Sequence, residues 1–177
     1  MGFINQQEYK LGFIQENIEM ISYSAVCFFV PFLIAHPQMV VGVIVNAALV
    51  LAALNLKSYK ALPIMFLPSL GVLARGAIFG PFTIFLVYMI PFIWVGNVLL
   101  VYAIKEFNLK RKINRFVSLG IAAGIKTLFL FSAAFIMVKT GFIPALFLTA
   151  MGLMQLYTAV AGGIIAFGVH AAKKRLI

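Results

Sequence analysis

Met39 to Leu56 reads MVVGVIVNAALVLAALNL, eighteen residues without a charged side chain. Lys57 closes the block at one end and His36-Pro37 at the other, and proline disfavours helix in the residue before it. At 1.5 Å per residue such a helix covers about 27 Å, close to the roughly 30 Å of a bilayer's hydrocarbon layer. Five more blocks of this kind flank it: about 18–35, 61–78, 81–104, 113–138 and 142–172. The expected fold is all-α: an integral membrane bundle of six transmembrane helices forming one domain over residues 1–177. Leu11, Ile14 and Ile18 recur at helical spacing with Gln15, Glu16 and Asn17 between them. Residues 1–17 therefore read as a short N-terminal interfacial helix. They lack the basic start and small-residue cleavage site of a signal peptide.

The composition agrees. Of 177 residues, 64% are hydrophobic and 10% charged, with a mean hydropathy of +1.09. A soluble domain carries about a quarter charged residues. An ordinary soluble globule, a disordered chain and a nucleic-acid module are thus excluded. Fourteen Lys and Arg against four Glu give a net charge of +10. Eleven of the fourteen fall in alternate loops: Lys10, Lys57, Lys60, Lys105, Lys110, Arg111, Lys112, Arg115, Lys173, Lys174 and Arg175. By the positive-inside rule those loops and both termini are expected to be cytoplasmic in a multi-pass cell-membrane protein. Arg75 and Lys139 fall on the other side, and Lys126 lies within the fifth span.

The missing residues exclude chemistry. There is no aspartate, and none of the four Glu stands mid-span. His36 and His170 lie near helix ends. A proton-coupled carrier usually places such a group inside the membrane. No phosphate-cradling glycine loop is present, and one cysteine with two distant histidines makes a poor metal site. Cys27 has no evident base beside it and reads as a small packing residue. No catalytic residue, metal or cofactor is expected, and the chain is not expected to be an enzyme.

Seven residues are candidates for a ligand site: His36, Gln38, Asn46, Arg75, Trp94, Asn97 and Lys126. Arg75 follows an apolar run, where it either anchors a carboxylate or phosphate or snorkels to the interface. Lys126 lies about a dozen residues in from the loop at Arg115, roughly 18 Å along a helix. Cations without an intramembrane acid disfavour a cationic ligand. Asn46 and Asn97 can bond a ligand or tie helices together. Trp94 and His36 can stack on an aromatic group. Pro31, Pro63, Pro68 and Pro91 are expected to kink their helices. Gly120-xxx-Gly124, Ala48-xxx-Ala52 and Gly162-xxx-Ala166 mark close-packing faces, expected chiefly inside the bundle.

Ala35-His36-Pro37-Gln38 through Val45-Asn46-Ala47, together with Met89-Ile90-Pro91-Phe92-Ile93-Trp94-Val95-Gly96-Asn97, resemble stretches of the substrate-binding S components of energy-coupling factor (ECF) transporters. The layout of six spans with a basic loop between the fourth and fifth resembles them too. The resemblance implies capture of a vitamin or related micronutrient on the extracytoplasmic side. It also implies partners: a transmembrane coupling protein and cytoplasmic ATPase subunits that power uptake. Some members dock through an Ala-xxx-Ala face on the first helix; this chain has none there, which leaves Ala48 and Ala52 as docking candidates. The competing expectation is a structural or assembly subunit of a larger membrane complex, with no ligand of its own.

Overall fold

The computed structural model describes residues 7, 11–34, 37–79 and 83–175. The chain is all-helical, with no strand among the described residues. The helices are α1 (Phe13–Leu33), α2 (Gln38–Asn55), α3 (Leu62–Phe79), α4 (Thr83–Ile104), α5 (Arg115–Lys139), α6 (Leu146–Met151) and α7 (Leu153–Lys174). By length and composition, four stretches are apolar enough to cross a membrane: Gln38–Asn55, Ile84–Lys110, Arg115–Lys139 and Leu146–Lys174.

Residues 13–17 belong to α1, and residues 1–6 and 8–10 of the expected interfacial segment lie outside the described residues. Two expectations are corrected. The polar stretch after Ile104 is not all loop, because Lys105–Lys110 continues α4 as a π-helix. The sixth block is broken at Gly152 into α6 and α7. Pro31, Pro68 and Pro91 sit inside continuous helices. Each removes the N–H that would have served the carbonyl four residues earlier.

The most extensive packing joins α2 to α7, α1 to α3, and α4 to α5. The second helix is the central one: 61% of it is buried, against 28% of the apolar window of α5. Its run from Val45 to Asn55 is buried throughout. The larger core surrounds that run with Cys27, Ile64, Met65, Leu100, Ile104 and Phe167. A smaller core joins Met89, Leu130, Ala134, Phe147 and Met151 on α4, α5 and α6. The outer faces expose Leu128, Ile136 and Leu146, each more than 60% accessible. Apolar exposure on this scale fits a lipid solvent rather than water.

Small residues explain the tightest contact. A Cβ on Gly162 would stand 2.6 Å from the Val43 carbonyl oxygen and 2.7 Å from the Ala47 nitrogen. The α2 backbone comes so near that only glycine fits. Gly120 and Gly124 differ from the expectation of internal packing: a Cβ on either would meet nothing within 4 Å. Gly141 takes the left-handed conformation (φ 78°) that ends α5. Its N–H bonds the Val138 carbonyl and that of Phe142 bonds Met137, the double closure of a helix C-terminus.

Gly162→Leu is therefore expected to cost several kcal/mol, as overpacking against backbone does, whereas Gly120→Ala should be neutral or raise stability by up to about 1 kcal/mol. Thermal melting of both variants in detergent checks this; equal melting temperatures would refute the close α2–α7 approach.

Candidate functional site

Lys126 projects from α5 into the bundle and is only 2% exposed. Its ammonium donates to Asn46 Oδ1 on α2 at 2.7 Å and to Asn97 Oδ1 on α4 at 3.0 Å. Asn46 Nδ2 donates to the Gly42 carbonyl at 2.9 Å and to Thr158 Oγ1 on α7 at 3.1 Å. Asn97 Nδ2 donates to the Met65 carbonyl on α3 at 2.8 Å. The two carboxamides are thereby oriented: flipping either would set its N–H₂ against the ammonium. One lysine thus links α2, α3, α4, α5 and α7 through two amides. These are charge-assisted bonds, about twice as strong as neutral ones. No carboxylate joins the cluster among the described residues.

Asn46, Asn97 and Lys126 are three of the seven expected site residues, and the fold brings them together. Gln38, Arg75 and Trp94 stand apart. Gln38 is exposed in the first turn of α2. Arg75 donates to the Phe32 carbonyl at 3.0 Å and joins the ends of α3 and α1. It lies ten residues, about 15 Å of helix, beyond Met65. Trp94 Nε1 donates to the Phe66 carbonyl at 3.3 Å, and its ring meets Phe66 edge-on at 5.1 Å. His36 lies outside the described residues. Ala48 and Ala52 are buried in the core, at 4% and 0% exposure, and do not offer the docking face expected of them.

A second polar assembly occupies the end where the basic loops gather, and the sequence reading did not find it. Glu16, Asn55, Lys105 and His170 are all at most 1% exposed. Asn55 Nδ2 donates to Glu19 Oε2 and to the Tyr23 hydroxyl, both at 3.0 Å. Tyr23 donates to the same Glu19 oxygen at 2.8 Å. His170 Nδ1 lies 2.6 Å from Asn55 Oδ1, so that ring nitrogen carries the proton. Lys173 pairs with Glu19. Lys105 donates to the Leu56 carbonyl at 2.6 Å, and Gln7 donates to Asn55 O at 2.9 Å. Together these serve orphan carbonyls at the C-terminus of α2, where positive charge is favoured. An acid–amide–histidine link therefore exists, although it sits at the basic end rather than mid-span. Two signals were present in the sequence. Glu16, Glu19 and Tyr23 share one face of α1, and His170 and Lys173 share one face of α7.

Glu16 is the buried anion of that assembly. Lys60 Nζ stands 2.9 Å from it and Lys57 Nζ 3.7 Å. The Lys57 backbone N–H donates to it at 3.0 Å. Burial pushes its pKa up, but the Lys60 and Lys57 hydrogen bonds and the two ammonium charges together hold it below the ordinary 4.5.

No protein-family model matches the chain, and no curated protein or solved structure matches it.

Two predictions follow from these contacts. Lys126→Met removes a buried charge and both of its bonds together. It leaves the Asn46 and Asn97 oxygens without a donor, while Asn97→Leu strips the ammonium of one acceptor; each should cost at least about 1–3 kcal/mol, and chemical or thermal denaturation in micelles checks this, wild-type stability in both refuting the buried cluster. The second concerns pH. A carboxylate whose folded pKa is depressed stabilises the fold above its unfolded pKa and loses that contribution as pH falls through the folded one. The Tm gap between wild type and Glu16→Gln should accordingly be full at pH 6 and close as pH drops below about 4.5. A gap independent of pH would show that Glu16 does not act as a paired anion.

Proposed function

We propose that the chain is the membrane-embedded S component of an ECF-type importer, with six passes and both termini cytoplasmic. In this reading it captures a vitamin or related micronutrient bearing a carboxylate or phosphate, and a coupling protein with ATPase subunits drives uptake. The observation that carries the reading is Lys126: a cation at the centre of the bundle, held by two amide oxygens and facing no carboxylate among the described residues. An ammonium has three donors, and two are engaged. Burying an ammonium without a counter-ion costs several kcal/mol, which an anionic ligand group would offset. A groove of about 310 Å³ between α5, α6 and α7 is lined by Thr127, Phe131, Leu148, Gly152 and Leu156. It reaches the residue next to Lys126, and the buried Thr127 hydroxyl finds no hydrogen-bond partner among the described residues. That groove suits the apolar body of a ligand, and its charged end would reach Lys126 only by entering between α5 and its neighbours. The described carboxylates, Glu16, Glu19 and Glu106, lie at the basic end, so none of them supplies a relay through the membrane, and energy from a partner fits this distribution.

One observation favours the competing reading of a structural subunit. The Gly120–Gly124 face of α5 is open, as a face that packs against another chain's helix would be.

The test is mass spectrometry of small molecules released when the purified chain is denatured. The ECF reading expects one anionic compound from wild type, and its affinity for Lys126→Met should fall about 10- to 100-fold, the worth of a charged hydrogen bond. Repeated absence of any ligand, with loss of co-purifying membrane proteins in Gly120→Leu, would instead establish the structural role.

A further inference from the structure

A serine or threonine inside a helix commonly returns its hydroxyl to the carbonyl one turn back. Ser22, Thr140 and Thr158 do so, donating to Ile18, Ile136 and Met154 at 2.8, 2.9 and 2.8 Å. Ser69 on α3 does not. It is only 4% exposed, and its hydroxyl finds no hydrogen-bond partner among the described residues. The carbonyl one turn back from it belongs to Met65, and that oxygen already accepts from Asn97 Nδ2 at 2.8 Å.

The same bond places Ser69 near the buried cation. In an α-helix the Met65 carbonyl also receives the Ser69 N–H, so the Asn97 carboxamide and the Ser69 backbone meet at one oxygen. The other end of that carboxamide, Oδ1, accepts from Lys126 at 3.0 Å. Lys126 has two acceptors, Asn46 and Asn97, for its three donors. One carboxamide therefore stands between an ammonium and a hydroxyl, both buried and each with a donor to spare. Thr127, another buried hydroxyl without a partner among the described residues, stands about 100° further round α5. It lines the groove with Phe131 and Leu156 instead.

The count of donors and charges decides the anion. Two spare donors match the two oxygens of a carboxylate, and its single negative charge cancels one ammonium. A phosphate monoester carries a charge of about −1.5 to −2 and three acceptor oxygens. It would leave an oxygen without a donor and an excess of buried negative charge, both costly away from water. We propose that the ligand's anionic group is a carboxylate, with one oxygen on Lys126 and the other on the Ser69 hydroxyl. This rests on the binding role proposed for Lys126 and narrows it from anions in general to carboxylic acids.

The experiment is isothermal titration calorimetry of the full chain in detergent with benzoate, phenyl phosphate and benzamide, which share one ring. Benzoate should bind at least about tenfold tighter than phenyl phosphate, and neutral benzamide should bind weakest. Ser69→Ala should weaken benzoate about tenfold, the worth of a hydrogen bond to a charged group, and change phenyl phosphate less than about twofold. Without any probe the same variant should melt no lower than wild type, because it removes a buried hydroxyl that has no partner. A lower melting temperature with unchanged benzoate binding would make Ser69 a packing residue and overturn the assignment. Equal affinity for benzoate and phenyl phosphate, both lost in Lys126→Met, would overturn the carboxylate and leave Lys126 as a general anion site. Binding of neither anion at millimolar concentration would overturn both.

Discussion

A cation buried in the middle of an apolar bundle has to be solvated by something, and in this protein two asparagines do it. The Asn46 and Asn97 oxygens meet Lys126, and their nitrogens hold Gly42, Thr158 and Met65. In hydrocarbon no water can replace a missing partner. The register of α2, α4 and α5 is therefore fixed against sliding: a shift of one turn, about 5.4 Å, would strand the ammonium. Apolar packing alone tolerates such shifts more readily, because one leucine-rich face resembles the next. The polar centre thus selects one arrangement, and the close approach at Gly162 then tightens α7 against α2.

The two ends of the bundle are built differently. At the basic end, Glu16 and Glu19 draw Lys57, Lys60 and Lys173 together, with Asn55 joining α1, α2 and α7. At the other end, among the described residues, Arg75 ties α3 to the Phe32 carbonyl of α1, and the core there is the smaller one. Stability follows that asymmetry, since regions with fewer buried contacts open at lower free energy. By that rule the end farthest from the ionic assembly is expected to open first.

Much of this was legible in the sequence. The apolar blocks gave the helices to within a few residues. Asn46, Asn97 and Lys126 stood out because each is polar within an apolar run. What a single chain does not display is rotation about the helix axis. Ala48-xxx-Ala52 and Gly120-xxx-Gly124 look alike as text, yet the first faces the core and the second faces outward. For the same reason Arg75 and Lys126, both cations without a sequence-adjacent acid, have opposite fates. One reaches a helix-end carbonyl and the other the bundle centre. Glu16 was read as part of the interfacial segment and Glu19 as the start of the first span. Their burial depends on Asn55, Lys60 and Lys173 arriving from other helices, and no local pattern encodes that meeting. The π-helical turn after Ile104 was hidden behind charged residues that resemble a loop.

The contrast between the two polar assemblies bears on what the bundle can do. An ion pair that is already complete, such as Glu16 with Lys60, has little to gain from a visiting ligand. It would have to be broken first, and breaking a buried pair costs about 3–5 kcal/mol. The Lys126 cluster is different in kind. The ammonium keeps a third donor that neither amide uses, and an incoming anion gains a full Coulomb interaction that the amides do not supply. Selectivity also follows, because a neutral analogue of the ligand would displace amide oxygens and return nothing for them. The end expected to open first is the end away from the ionic assembly. Under the proposed orientation it faces outward, where a captured solute would enter. The physical case for a binding role therefore rests on an incompletely neutralised centre beneath a weakly tied rim, with the charge-rich end serving as the fixed base.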